Sequence, residues 1–445
     1  MFGGTKRRFG IALGLAASAA ALAAAMPAHA ADLSGGGAAD LEERIAELEA
    51  TTTRKGNRKV SLTVSGVVNE ALLAWDDGDE SNVYVVTNEE QQDRFRFLGE
   101  ADIAKGWKAG YLIEIGIRGS RGDRVNQDNS NGSNPDGRDG VSTRHSAWWL
   151  SSKDYGKLWA GLTSDAADGI TEINLANTNH FASSNKQYLG DSGNNGFFAL
   201  HNGQRSNIKW GLFASPPGLA QQPGEGHREN LIKYETPTVA GFVASTAWGE
   251  DDLWNIALRY KGEFSGFKLA AGIAYSEVNG GNANNIKRGI GDTNEFGLSA
   301  SLLHSESGLY VTGAYGHLED EQLPAAFDNE TDFYFIQAGI ERKFFPVGKT
   351  TLFGEYWNID RGTGDVGGAL QAANVPGVGA GVVGGTSLEG WGLGLNQNFS
   401  EVFDLYLLYN HVSADFNVVT AGGVQVGNVE VDDFDYVVGG AQIKF

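Results

Sequence analysis

The sequence predicts an all-β transmembrane protein, a 16-stranded antiparallel β-barrel preceded by a short N-terminal coiled-coil helix. Three observations predict it. From Lys59 onward apolar residues recur with period two in sixteen segments; the connections between those segments alternate between minimal and long; and no run after residue 30 is long and apolar enough for a spanning helix. Inside a bilayer every backbone N–H and C=O must find a partner within the protein. Strands apolar only at alternate residues therefore cross it as a closed barrel.

The first thirty residues set the address. Lys6-Arg7-Arg8 forms a basic start, IALGLAASAAALAAA an apolar run, and Ala28-His29-Ala30 a small-x-small site, the pattern of a secretory signal peptide cleaved after Ala30. Three of the 34 basic residues and none of the 55 acidic ones leave with it, so the mature charge is 31 − 55 = −24. Residues 31–50 are expected to form a periplasmic coiled-coil segment, since Leu41, Ile45 and Leu48 follow the 4-then-3 spacing of a heptad seam. Residues 51–57 read as a linker, and 58–445 as the barrel.

The strand signal is alternation. In LWNIALRYKGEF, Trp254, Ile256, Leu258 and Tyr260 share one face against Asn255, Ala257, Arg259 and Lys261. In EVFDLYLLYN, Phe403, Leu405, Leu407 and Tyr409 oppose Asp404, Tyr406 and Asn410. The segments fall at 58–75, 91–103, 107–118, 142–152, 156–163, 227–236, 239–248, 253–263, 266–277, 292–304, 307–318, 332–343, 349–359, 387–399, 401–413 and 433–445. Between them AKG, KDY, TV, FS, SE, FFPVG and S are short, whereas 119–141 and 360–386 are long, and GEDD at 249–252 is the short exception. Short periplasmic turns and long outer loops are the asymmetry of a membrane barrel. The short turns also carry Trp107, Tyr155, Phe264, Phe267, Phe344, Phe345, Phe399 and Phe403, rings suited to a membrane–water boundary. The last strand alternates to its end, so Phe445 is expected at that boundary with Ile443, Ala441, Gly439 and Val437 facing lipid.

The stretches VSLTVSGVVNEALLAWDDG, DRFRFLGEADIAKGWKAGYLIEI, TRHSAWWLSSKDYGKLWAGLTSDAADGITEINLAN and RENLIKYETPTVAGFVASTAWGEDD resemble the general porins of Gram-negative bacteria, in their alphaproteobacterial form. The resemblance covers most of residues 58–277 and the terminal strand. It implies an outer-membrane homotrimer that passes small hydrophilic solutes and ions by passive diffusion, and it implies no cofactor. It further implies that the long third loop folds inward and sets carboxylates against a basic wall. The candidate loop is about 164–226, opening with Asp165, Asp168 and Glu172. For the wall, Phe95, Phe97 and Ile103 share the lipid face, so Arg94 and Arg96 point inward, with Glu114 opposite Arg96. Arg144 begins the inward series of its own strand, which makes Trp148, like Tyr406, an isolated inward ring, and Arg228 matches a family arginine. The alternative for these arginines is local pairing with Glu114 and Glu100. Glu70 stands near where the family often has a basic residue, which weakens any anion preference. Phe445 and Ile443 resemble the terminal signature read by the barrel assembly machinery. Outer-membrane lipid and lipopolysaccharide complete the expected partners.

Several functions are disfavoured. A chain this acidic does not suit nucleic acid, whose phosphates need Lys and Arg. There is no cysteine for a disulfide or a thiolate site, and the seven histidines left after residue 30 fall in no catalytic spelling. GAGVVG at 379–384 has the letters of a dinucleotide fingerprint but lies in a Gly/Val stretch read as a loop, and Arg121-Gly122-Asp123 is a loop tripeptide. DNSNGSNPDGRDG lacks the terminal glutamate of an EF-hand loop. With the acidic loop and negative mature charge, a weak cation preference is expected. The competing readings are a channel specific for a sugar or other nutrient, which aromatic rows along the lumen would favour, and a structural or adhesive barrel.

Overall fold

The computed structural model describes residues 60–132, 140–190, 194–214, 222–249, 252–279, 292–321, 327–362, 365–366 and 369–445. The signal, coiled-coil and linker segments expected over 1–57 lie outside the described residues.

In chain order the first strands are β1 (Ser61–Asp76), β2 (Ser81–Thr87), β3 (Asp93–Ala104), β4 (Trp107–Ile117), β5 (Val141–Ser152) and β6 (Gly156–Ser164). A small hairpin follows, β7 (Phe198–His201) and β8 (Gln204–Lys209), and a single helical turn, α1 (Gly211–Ala214). Then come β9 (Arg228–Glu235), β10 (Phe242–Gly249), β11 (Trp254–Phe264), β12 (Phe267–Val278), β13 (Thr293–His304), β14 (Leu309–Asp320), β15 (Glu330–Arg342) and β16 (Lys349–Arg361). The chain finishes with β17 (Asp365–Val366), β18 (Ala369–Leu370), β19 (Ala372–Val375), β20 (Gly379–Asn398), β21 (Phe403–Val419), β22 (Gln425–Glu430) and β23 (Phe434–Lys444).

Sixteen antiparallel staves close the barrel. β2 and β3 both pair with β1 and together make the second stave; β1 also pairs with β23, from Val67↔Lys444 to Asp76↔Asp435, so the sheet has no free edge there. Main-chain bonds Gly66 N to Phe445 O (2.8 Å) and Phe445 N to Gly66 O (3.1 Å) carry the seam to the last residue. Alternation turns Trp254, Ile256 and Leu258 outward, as the period predicts. Two outward belts result. One lies at the short turns, where Trp107 stacks on Tyr155 at 5.7 Å and Phe445 meets Phe95 at 5.7 Å. The other, nearer the long loops, runs through Trp248, Trp254, Tyr275, Phe296, Tyr315, Tyr334, Tyr356, Trp391 and Tyr409 on β10 to β21.

Three details differ from the sequence reading. A bulge between Glu114 and Ile115 of β4 makes Arg144 an extra residue; His145, Ala147 and Trp149 then face inward, and Trp148 is 53% exposed on the outer surface. Glu70 lies between outward Val68 and Leu72 and faces away from the lumen. The Gly/Val stretch holding GAGVVG is strand, because β20 starts at Gly379 and pairs with β21 up to Val382↔Val419. Val382 and Val383 lie within it, and valine favours strand wherever a partner is available.

The interior is not evenly wet. The described parts of segment 165–227 enter the barrel, and most of their apolar side chains pack against β1, β16, β20, β21 and β23 in one large cluster. Phe181 stacks on Tyr406 at 4.6 Å; Phe197 lies 5.0 Å from Trp75 and 4.9 Å from Phe434. The inward aromatics of these strands are therefore covered, Tyr406 to 3% exposure, and do not form a row along an open lumen. Glycines make room for the return of the segment. A side chain at Gly297 would collide with the backbone of Gly224, and one at Gly316 with the carbonyl of Pro223. At the far side of the cluster Lys186 reaches Glu355 at 2.8 Å, both side chains buried, and Gln337 Nε2 donates to the same carboxylate at 3.2 Å.

Candidate functional site

The opposite half of the interior is polar. Alternation on β3 leaves Phe95 outside and sends Arg94 and Arg96 inward. Register then sets Arg96 opposite Glu114, and its Nε donates to Glu114 Oε2 at 2.7 Å. The bulge on β5 adds Arg144, whose Nε donates to Glu114 Oε1 at 2.7 Å, while an Arg94 nitrogen lies 3.6 Å from the same oxygen. Glu114 is fully buried. A buried carboxylate needs such partners. Three guanidiniums on one carboxylate still leave the wall with a surplus of positive charge. Glu100 is engaged by Lys108 instead.

The inward segment faces this wall. Asp165 is not one of its lining groups: Oδ1 accepts from Ala167 N (2.8 Å) and Asp168 N (2.9 Å), and Oδ2 from His227 N (2.9 Å), so it staples the two ends of the segment together. Asp168 and Glu172 do line the cavity, with Arg94, Arg144 and Arg228 across from them. Asp168 accepts from the Ser164 hydroxyl and lies 3.8 Å from Arg228. Burial pushes the Glu172 carboxyl up to about 7, and the charge of Asp168 adds to the effect. Glu225 accepts from Gly169 N, from Thr171 N at 2.8 Å and from Thr171 Oγ1 at 2.5 Å; burial, and then the charge of Glu172, raises its carboxyl well above the ordinary range.

The cavity between segment and wall measures roughly 570 Å³. Five arginines line it, Arg94, Arg118, Arg121, Arg144 and Arg228, and five carboxylates, Glu89, Glu90, Asp123, Asp168 and Glu172. Arg118, Glu89 and Glu90 escape a reading by alternation because they sit where strands end. Arg259, inward by parity, supports the segment by donating to the carbonyls of Ala166 (2.8 Å) and Asp168 (2.7 Å). Arg121 and Asp123 of the loop tripeptide bind each other, at 2.9 and 2.5 Å, and are buried. Ile443 and Phe445 are outward and half exposed at the short-turn end.

A closed barrel, apolar and belted outside, with a charged gap inside, defines a transmembrane channel scaffold. A sequence model described as Gram-negative porin matches residues 16–442, and the chain belongs to that family. Its place is the bacterial outer membrane. Among solved structures it is similar to the anion-selective porin of Comamonas acidovorans, with TM-score 0.52 and 17% identity over 87% of this chain and 100% of that one. It is also similar to OmpF of Salmonella typhi in complex with daunomycin (TM-score 0.50, 13% identity, 87% and 98% covered). OmpT, an outer membrane protein of Vibrio cholerae, gives TM-score 0.50 and 12% identity over 88% of this chain and 99% of that one. At these identities the likeness is one of fold. No curated protein sequence matches this chain.

Proposed function

We propose that the chain is a general diffusion porin, passing small hydrophilic solutes and ions through the gap between segment 165–227 and the arginine wall. One observation carries this reading: five arginines and five carboxylates face one cavity, with Asp168 and Glu172 on the loop side and Arg94, Arg96 and Arg144 gathered on the wall. Opposed charges set a transverse field across a narrow polar throat. A polar solute keeps its solvation by orienting in that field, and an apolar one gains nothing for the ordered water it loses. The lining arginines and carboxylates match in number, so a weak cation preference rests on the acidic excess of the whole chain, 55 against 34.

Assembly as a homotrimer belongs to the same reading. The belt nearer the long loops stops beyond Tyr409, where the positions in register are Val437, Ala74 and Val83. In that unbelted sector the outward carboxylates of Glu70 and Asp93 stand beside Val68 and Leu72. Outward acids in an apolar band suit a protein neighbour better than lipid. Lipopolysaccharide around the remaining surface, export through a cleaved signal, and recognition of Phe445 and Ile443 by the assembly machinery complete the proposal.

Recording in a planar bilayer tests it. Insertions should give triplet conductance steps with linear current, and Asp168→Asn with Glu172→Gln should lower the cation-to-anion permeability ratio. Absence of conductance, or saturable block by a single solute, would overturn the diffusion reading.

A further inference from the structure

The second stave is interrupted. β1 pairs with β2 up to Glu70↔Thr87 and with β3 from Val67↔Arg94, so the six residues 88–93 stand opposite only Val68 and Asn69. An ordinary bulge adds one residue. Here the surplus leaves the wall and turns into the lumen as a 3-10 turn at Glu89–Gln91. Asn88 Nδ2 donates to Tyr406 Oη (2.8 Å) and to His180 O (3.0 Å), and Asn69 Nδ2 reaches Gln91 O at 3.2 Å. The last of these satisfies a carbonyl of the turn, and the first two fix the turn from inside.

What the turn holds points to its use. Glu90 Oε2 accepts from Ser183 Oγ (2.7 Å) and Oε1 from Gln187 N (3.2 Å), tying it to segment 165–227. On its other side Gln92 Oε1 accepts from Arg118 Nη2 (2.7 Å) and from Arg144 Nη1 (3.0 Å), and Arg118 Nε reaches Glu89 at 2.8 Å. Arg96, Glu114, Arg144, Gln92, Arg118 and Glu89 thus form one hydrogen-bonded ladder along the cavity wall. Gln92 is its single neutral rung, the carboxamide oxygen shared by two cations.

We propose that the inward turn 88–92 is a second constriction element, and that Gln92 is a specificity-determining residue that orders Arg118 and Arg144 without cancelling their charge. A carboxylate at that rung would hold the same two guanidiniums and neutralise one of them. The amide keeps the wall positive where solutes pass. The inference rests on the channel reading, and the test separates the two.

Gln92→Glu preserves size and both acceptor contacts and changes only charge. Reversal potentials of the full-length protein in asymmetric KCl should show the cation-to-anion permeability ratio rising about six-fold, since one unit charge some ~8 Å away in a water-like medium favours the cation and disfavours the anion by about 2.4-fold each. Glu90→Gln, which loosens the tie between the turn and segment 165–227, should raise open-channel current noise. If Gln92→Glu conducts with the wild-type ratio, the second constriction is wrong and the channel reading stands. If the wild-type protein gives no conductance, the channel reading itself fails. Should Gln92→Glu not assemble, Gln92→Met, which removes the shared acceptor without adding charge, replaces it; a ratio and conductance equal to wild type would then overturn the proposal.

Discussion

Among single residues, Glu172 gives the sharpest expectation. Its carboxyl titrates about 7 rather than in the ordinary carboxylate range, chiefly because it is buried. Below that pH it is neutral and the throat is at its most basic; above it the loop gains a negative charge. Cation preference should therefore rise between about pH 6 and 8, and Glu172→Gln should flatten the profile. The stability sign follows from the same shift. The folded protein holds this proton more tightly than the unfolded chain, whose carboxyl titrates near ~4.3. Ionisation therefore weakens the docked segment progressively from there up to about 7, and no further above it. How far such residues could be read in advance varied with their place. Arg94 and Arg96 follow from the outward faces of Phe95 and Phe97, since a period of two leaves one choice. Trp148 did not follow, because one extra residue at Arg144 reverses every later side chain of β5 and nothing in TRHSAWW announces it. Asp165 is acidic and near the throat in sequence, yet its oxygens are spent on main-chain donors.

For the inward segment as an element, two anchors decide its position. Lys186 and Glu355 form a buried pair with Gln337 on the same carboxylate. Lys186→Met should cost about 3–5 kcal/mol by leaving a buried charge alone, and the double change with Glu355→Gln should recover most of it, as read from thermal unfolding in detergent. Single-channel conductance should rise in the single variant. At Gly316 the segment touches the wall so closely that any side chain strikes Pro223. Gly316→Val should cost about 1–3 kcal/mol by overpacking and widen the throat. The existence of this long insertion was legible from the spacing between β6 and β9. Its apolar packing was not, because Phe181, Phe197, Trp210 and Phe213 show no period of their own and are apolar only in answer to rings on distant strands. The interrupted second stave was equally hidden: alternation places strands at 58–75 and 91–103 and leaves 76–90 as a connection until β2 and β3 are seen to share β1.

For the whole molecule, the count of sixteen staves was readable because short turns and alternation repeat along the entire chain. The asymmetry of the outer surface emerges only when strands are set side by side. The unbelted sector around β23, β1 and β2 is the face proposed to meet a second copy. Val68→Trp there should destabilise the trimer by about 1–3 kcal/mol, seen as a lower trimer-to-monomer temperature on native gels, whereas Leu393→Trp, 59% exposed in the belted sector, should leave it unchanged. Equal effects at both positions would remove the sector from consideration.

The apolar cluster inside the barrel also links two events of biogenesis. Tyr406, Phe434 and Tyr436 belong to the last staves, yet they are covered by rings from the middle of the chain. A cylinder that zipped shut first would leave these rings facing water until the plug arrived, so closure and plugging are expected to be coupled. Sealing and plugging are in this sense a single step, and a barrel that shut without its plug would be left with an oily, vacant lumen.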